Sequence, residues 1–244
     1  METRKTGKYF KYAIGEIILV VIGILIALSI NNWNENRKNT VIEKDTLMSL
    51  KSDLESALIQ LDNKLRQNNA YKTSDSILLD VIHLKKEISQ DSLENLALGH
   101  IWSPSFDPEL GTLNEILSSG KMSIIKSIPL RKHISSWNKY LDELIEVDDK
   151  LAYFDLQVKT PLYSKYLPYK NFYSKIANNT NDSGYRFPKS KLEWNSESLL
   201  QSREFENMLS NYMIYSMIQN FRLLDIKQNI NEMISLINQE IQDD

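Results

Sequence analysis

The chain has 244 residues, 42% of them apolar and 25% charged, enough to bury a sizeable core in one or two domains. Only 7 Gly and 6 Pro are present, too few for a turn-rich sandwich or barrel and ample for long helices. There is no cysteine, which excludes disulfides, thiolate zinc sites, iron–sulfur clusters and cysteine nucleophiles. The net charge of -3 divides unevenly: Arg4, Lys5, Lys8 and Lys11 against Glu2 give residues 1–11 a net +3, leaving -6 for the rest. A mildly acidic domain behind a short basic tail does not suit nucleic acid, whose phosphates need a concentrated basic face. The tail suits an anionic membrane surface.

Residues 13–33 follow this tail of residues 1–12, and Ala13 to Ile30 is an apolar run with Glu16 its only charge. About 20 such residues cross a bilayer. Tyr9 and Tyr12 stand at one end and Trp33 at the other, where interfacial aromatics belong. From Tyr12 to Trp33, helical rise gives roughly 31 Å, one hydrocarbon thickness. The excess of basic residues before the span predicts a cytoplasmic N-terminus, with the larger part of the chain outside the cytoplasm. A cleaved signal peptide shows a similar pattern, but the length of the run and Glu16 within it favour an uncleaved anchor.

The stretch KYFKYAIGEIILVVIGILIALSINNWNENRK resembles the N-terminus of an uncharacterised Bacteroidota family of single-span membrane proteins. That family carries an AIGEIxLVVIGILIALxINNWNE block; Ser29 stands where Gln is expected. A second, looser similarity covers FDPELGTLNEILSSGKMSIIKSIPLRKHISSW. The resemblance implies an inner (plasma) membrane anchor with an extracytoplasmic domain, and brings no activity with it. Lipid alone does not require the residue choices within the span. Gly23 and Ala27 form a small-xxx-small pair that permits close approach of another helix. Glu16 is an acid near the cytoplasmic interface, where it either serves function or reaches the headgroups. Membrane lipid is the expected partner, with another membrane protein or a second copy of the chain.

Residues 34–244 read as a helical-bundle domain. Leu47, Leu50, Leu54, Leu58, Leu61 and Leu65 recur at steps of three or four, predicting a helix of about 25–30 residues that can continue the span. Ser74 or Asp75 can cap a second helix, and Asp91 opens a short third one ending near Gly99. A helix from about Asp107–Pro108 stops at Gly120, which suits a left-handed C-cap, and Pro129 suits the first turn of a helix over 128–158. Residues 160–195, rich in Pro, Tyr, Asn and Ser, predict a long irregular connection. From Ser196 or Ser198 to about Gln239 no Pro or Gly interrupts a helix with Phe205, Leu209, Tyr212, Ile218, Phe221, Leu224, Ile230, Met233 and Ile237 at helical spacing. The expected fold is all-α: one N-terminal transmembrane helix followed by an elongated antiparallel helical bundle.

No catalytic constellation is legible. His83, His100 and His133 fall in separate segments without metal-ligand spacing, and no phosphate loop or nucleophile elbow occurs. Asp53 with Glu55, and Asp148 with Asp149, read as solvated helix faces. No cofactor is implied. Tyr163, Tyr166, Tyr169, Phe172 and Tyr173 make the connection aromatic, either as a partner surface or as rings pinning the loop to the bundle. The expected function is a non-enzymatic, membrane-anchored interaction or scaffold protein, the alternative an extracytoplasmic ligand-binding or sensor module acting through a signalling partner.

Overall fold

The computed structural model describes residues 3–98, 105–171, 173–174 and 188–243, with the side chains of 3–13 and 243 outside that description. Helix α1 runs unbroken from Thr3–Leu84, 82 residues and roughly 120 Å by helical rise. Near its N-terminus it is long and apolar enough to cross a membrane, and none of that apolar stretch is buried against the rest of the chain. The helix continues past Ser74 and Asp75, where a new helix was predicted. Thr73 and Ser74 donate back to the carbonyls of Asn69 and Ala70, at 2.8 and 3.2 Å, instead of capping.

After α1 come α2 (Gln90–Leu98), α3 (Gly111–Ser118), a 3₁₀ turn (Lys121–Ile124), α4 (Ile128–Phe154), a π-helical turn (Asp155–Lys159), α5 (Thr160–Tyr166), α6 (Ser196–Leu200) and α7 (Arg203–Asp243). No strand occurs among the described residues. The architecture is all-α, with α7 running back along α1 and α4 packed against α7. Gly120 at φ 73° ends α3 in the left-handed conformation its sequence position predicted, and Pro129 sits in the first turn of α4. α3 begins at Gly111, later than the Asp107–Pro108 start expected, because 105–110 is irregular.

Three predicted features need correction. Residues 160–166 are helical, not irregular: the α4 helix passes through the π turn into α5. Pro161 explains the turn, since it lacks an N–H and its ring would clash with the carbonyl four residues earlier; one π turn relieves both. On α7, Phe221 and Leu224 are exposed, while Ser216, Gln219, Leu223 and Ile226 face inward. On α1, Ala57 is buried where Leu58 was expected, with Leu58 and Leu65 only partly covered.

The buried faces then follow strict heptad steps. On α1 they are Leu47, Leu50, Leu54, Ala57, Leu61, Lys64, Asn68, Tyr71, Asp75 and Leu78, with Tyr71 half-buried. On α7 they are Phe205, Leu209, Tyr212, Ser216, Gln219, Leu223, Ile226, Ile230, Met233 and Ile237. Both rows turn polar midway, and so does α4 at Asp148 and Asp155. The core therefore splits in two. One cluster gathers Leu47 to Leu61 with Trp137, Ile134, Leu113 and the Leu223–Ile237 end of α7. The other gathers Leu78, Leu93, Tyr163, Leu199, Phe205 and Leu209.

Two carboxylates of α1 fasten the α3–α4 corner. Asp53 accepts the Thr112 N–H at 2.9 Å, capping α3, whose own N-cap residue Leu110 supplies no side-chain bond. Glu43, buried, accepts the Lys126 N–H at 2.6 Å and pairs with its ammonium at 3.0 Å. Asp53, expected on a solvated face, is thus a cap supplied from a neighbouring helix.

Candidate functional site

Between the two apolar clusters lies a chamber of about 220 Å³ walled by α1, α4, the π turn and α7. Its polar lining comprises Lys64, Asn68 and Tyr71 of α1, Asp148 of α4, Asp155 and Lys159 of the π turn, and Tyr212, Ser216 and Gln219 of α7, with Ser105 at the side. The heptad steps of α1 and α7 place these side chains inward. The π turn presents Asp155, Lys159 and Tyr163 on successive turns toward the same seam.

Hydrogen bonds tie one end of this layer together. The Asn68 amide donates to Gln219 Oε1 at 2.7 Å and to Asn220 Oδ1 at 3.1 Å, and Gln219 in turn donates to the Asp148 carboxylate. Asn220 donates to Asn69 at 3.0 Å. At the other end, the buried Lys159 ammonium lies 2.5 Å from Asp155 Oδ1 and 4.5 Å from the Tyr212 ring centroid. Phe154 packs against Tyr212 with centroids 5.3 Å apart. Asp75 is fully buried behind Lys159, and its charge acts on both Lys159 and Tyr163.

The layer's titration reflects burial. Desolvation pulls Lys64 below the ordinary lysine range, opposed by the Asp148 charge. It pulls Lys159 down likewise, opposed by Asp155 and Asp75. Asp148 is pushed up by burial, against the Gln219 hydrogen bond and the Lys64 charge. Tyr163, wholly buried, is raised well above the phenol range by burial and then by the negative charge of Asp75. Its hydroxyl has no hydrogen-bond partner among the described residues.

Asp148 was read from the sequence as part of a solvated face; it lines the chamber instead. Lys64, Asn68, Asp75, Lys159 and Gln219 were not singled out. The signal was available: continuing the α1 leucine row by heptad steps lands on Lys64, Asn68, Tyr71 and Asp75, and a polar side chain at such a position is either paired or part of a site.

The residues singled out from sequence lie elsewhere. Glu16, Gly23 and Ala27 are exposed on the part of α1 that carries no other helix. A Cβ built on Gly23 meets nothing within 4 Å, so the chain's own packing does not call for glycine there. Trp33 is exposed, with the Arg37 guanidinium 5.7 Å from its ring centroid. Tyr9 and Tyr12 lie in α1 but their side chains fall outside the described set, as does Phe172 entirely. Tyr163 is buried, and Tyr166 and Tyr169 are half-covered by the cluster around Leu78 and Phe205. Tyr173 is exposed and stacks on Tyr169 at 6.5 Å. Asn171 anchors the connection by donating to the buried Glu94 at 3.0 Å and accepting from Ser190 N at 2.7 Å. His83 is exposed, His133 bonds Asn229 at 2.8 Å, and His100 lies outside the described residues.

Neither characterised proteins nor solved structures gave a match. A family model described as a family of unknown function (DUF6090) matches residues 16–157, from the apolar stretch of α1 through α4 into the π turn. The match takes in the α1 and α4 walls of the chamber and stops before the α7 wall. Since it spans more than half of the chain, the protein belongs to this family of unknown function, DUF6090.

Proposed function

We propose that the protein is a membrane-anchored, non-enzymatic sensor module: the bundle binds a small polar molecule in its chamber, and α1 carries the bound state to a partner in the membrane. One observation carries this reading. A single unbroken helix supplies both the apolar stretch and the Lys64–Asn68–Tyr71 wall of the chamber. Any tilt or rotation imposed at the wall is delivered to the span, because a helix is stiff over this length. The basic residues before the span place the N-terminus in the cytoplasm and the bundle outside the plasma membrane. Gly23 and Ala27 supply a close-contact face for a second span, in a partner or in another copy.

The original scaffold reading keeps one specific support. Ile214, Met217, Phe221 and Leu224 form an exposed apolar row at heptad spacing on the outer face of α7. A surface that binds a protein permanently would bury such a row.

The absence of any native thiol allows a direct test. Ala27→Cys is introduced into the full-length chain in native membranes, and oxidative cross-linking to itself or to a neighbouring span is measured. The comparison is made with Gly23→Leu, which crowds the contact face, and with Asn39→Pro, which breaks α1 between span and bundle. The sensor reading expects a cross-link lost with Gly23→Leu and changed in yield by occupation of the chamber, with Asn39→Pro abolishing that response. Cross-linking indifferent to both substitutions would sink it.

A further inference from the structure

We infer that the chamber's ligand is a small organic monocation, an amine or quaternary ammonium compound. This rests on the reading of the chamber as a ligand site and deepens it by naming the chemistry. The first observation is charge. The lining holds Lys64 and Lys159 against Asp148 and Asp155, which balance. Asp75, fully buried directly behind Lys159, tips the buried layer to a net of one negative charge. An anionic ligand would add to that excess, a neutral or zwitterionic one would leave it, and a monocation closes it.

The second observation is chemical. The Lys159 ammonium, 4.5 Å from the Tyr212 ring centroid with Asp155 at 2.5 Å, is an ammonium held by a ring face and a carboxylate. Tyr71 and Asp148 line the same space and offer a second ring and a second carboxylate to a guest of like chemistry. The third is size. A water needs only about 10–15 Å³ of such space, so about 220 Å³ accommodates a solute of several heavy atoms but not a nucleotide or a peptide.

The test measures thermal unfolding of the full-length protein in detergent with four probes of similar size: tetramethylammonium, glycine betaine, glycerol and propionate. Tetramethylammonium at ten times its dissociation constant is expected to raise the Tm by about 3–6 °C, with the others moving it by less than about a degree. Ser216→Leu, which occupies the space, and Asp75→Asn, which removes the excess charge, should each abolish the shift. Asp155→Asn serves as the charge variant if Asp75→Asn fails to fold. A shift with betaine, glycerol or propionate equal to that with the cation leaves a ligand site but overturns its class. A tetramethylammonium shift that survives in Ser216→Leu overturns the location. One that persists undiminished in the charge variants overturns the charge argument. No shift with any probe overturns both this inference and the ligand-site reading beneath it.

Discussion

Ser216→Leu puts the nature of the chamber to a physical test, because a space kept open for a guest can be filled at a gain in stability. Ser216 is buried on α7 and faces the cavity of about 220 Å³. Leucine exchanges one hydroxyl for three carbons; at about 0.8 kcal/mol per buried carbon this is worth at most about 2.4 kcal/mol. Polar neighbours that lose water on one side offset part of it, leaving about 1–2 kcal/mol of stabilisation. For a chain of this size each kcal/mol moves the melting temperature by about 2–4 °C, so a rise of about 2–8 °C is expected. Circular dichroism at 222 nm against temperature reads it, with Ser216→Ala as a near-neutral control. Destabilisation by more than about 1 kcal/mol would mean that the layer is a close-packed polar network with no room for a guest, and the site assignment would fall with it.

Other outcomes follow from the same contacts. Asp53→Ala leaves the Thr112 N–H uncapped and should cost about 1–2 kcal/mol, while Asp53→Asn, which still accepts, should recover most of it; equal losses in both would deny the cap. Trp137→Ala, removing a fully buried ring from the larger apolar cluster, should cost about 3–5 kcal/mol in denaturant unfolding, against about 1 kcal/mol or less for exposed Ile145→Ala. For pH, Lys64 and Lys159 are held below the ordinary 10.5, so between their folded values and 10.5 the unfolded chain binds more protons. Stability therefore rises with pH across that window. Tyr71, Tyr163 and Tyr169, held above 10.0, reverse the trend above that pH. Lys159→Met should flatten the rising limb; a slope unchanged in that variant would remove Lys159 as its source.

The sequence by itself determined the helical class, the apolar stretch and the antiparallel pairing of a long first and last helix. These follow from periodicity, from a run of apolar residues and from the scarcity of glycine and proline, all of which act locally. Gly120 and Pro129 were legible for the same reason: a left-handed corner and a helix first turn are single-residue requirements. The capping role of Asp53 was not, because its partner Thr112 is 59 positions away and only packing brings them together. Ser74 and Asp75 looked like a helix start because such residues cap helices, yet burial of the continuing heptad row kept α1 going. Pro161 looked like a stop, and the tertiary structure absorbed it in a π turn. The chamber lay furthest from view. Each helix carries polar residues at a few buried positions, unremarkable on any one of them. Only the antiparallel register of α7 on α1, with α4 packed beside them, sets those interruptions at one height, where no apolar side chain fills the space between.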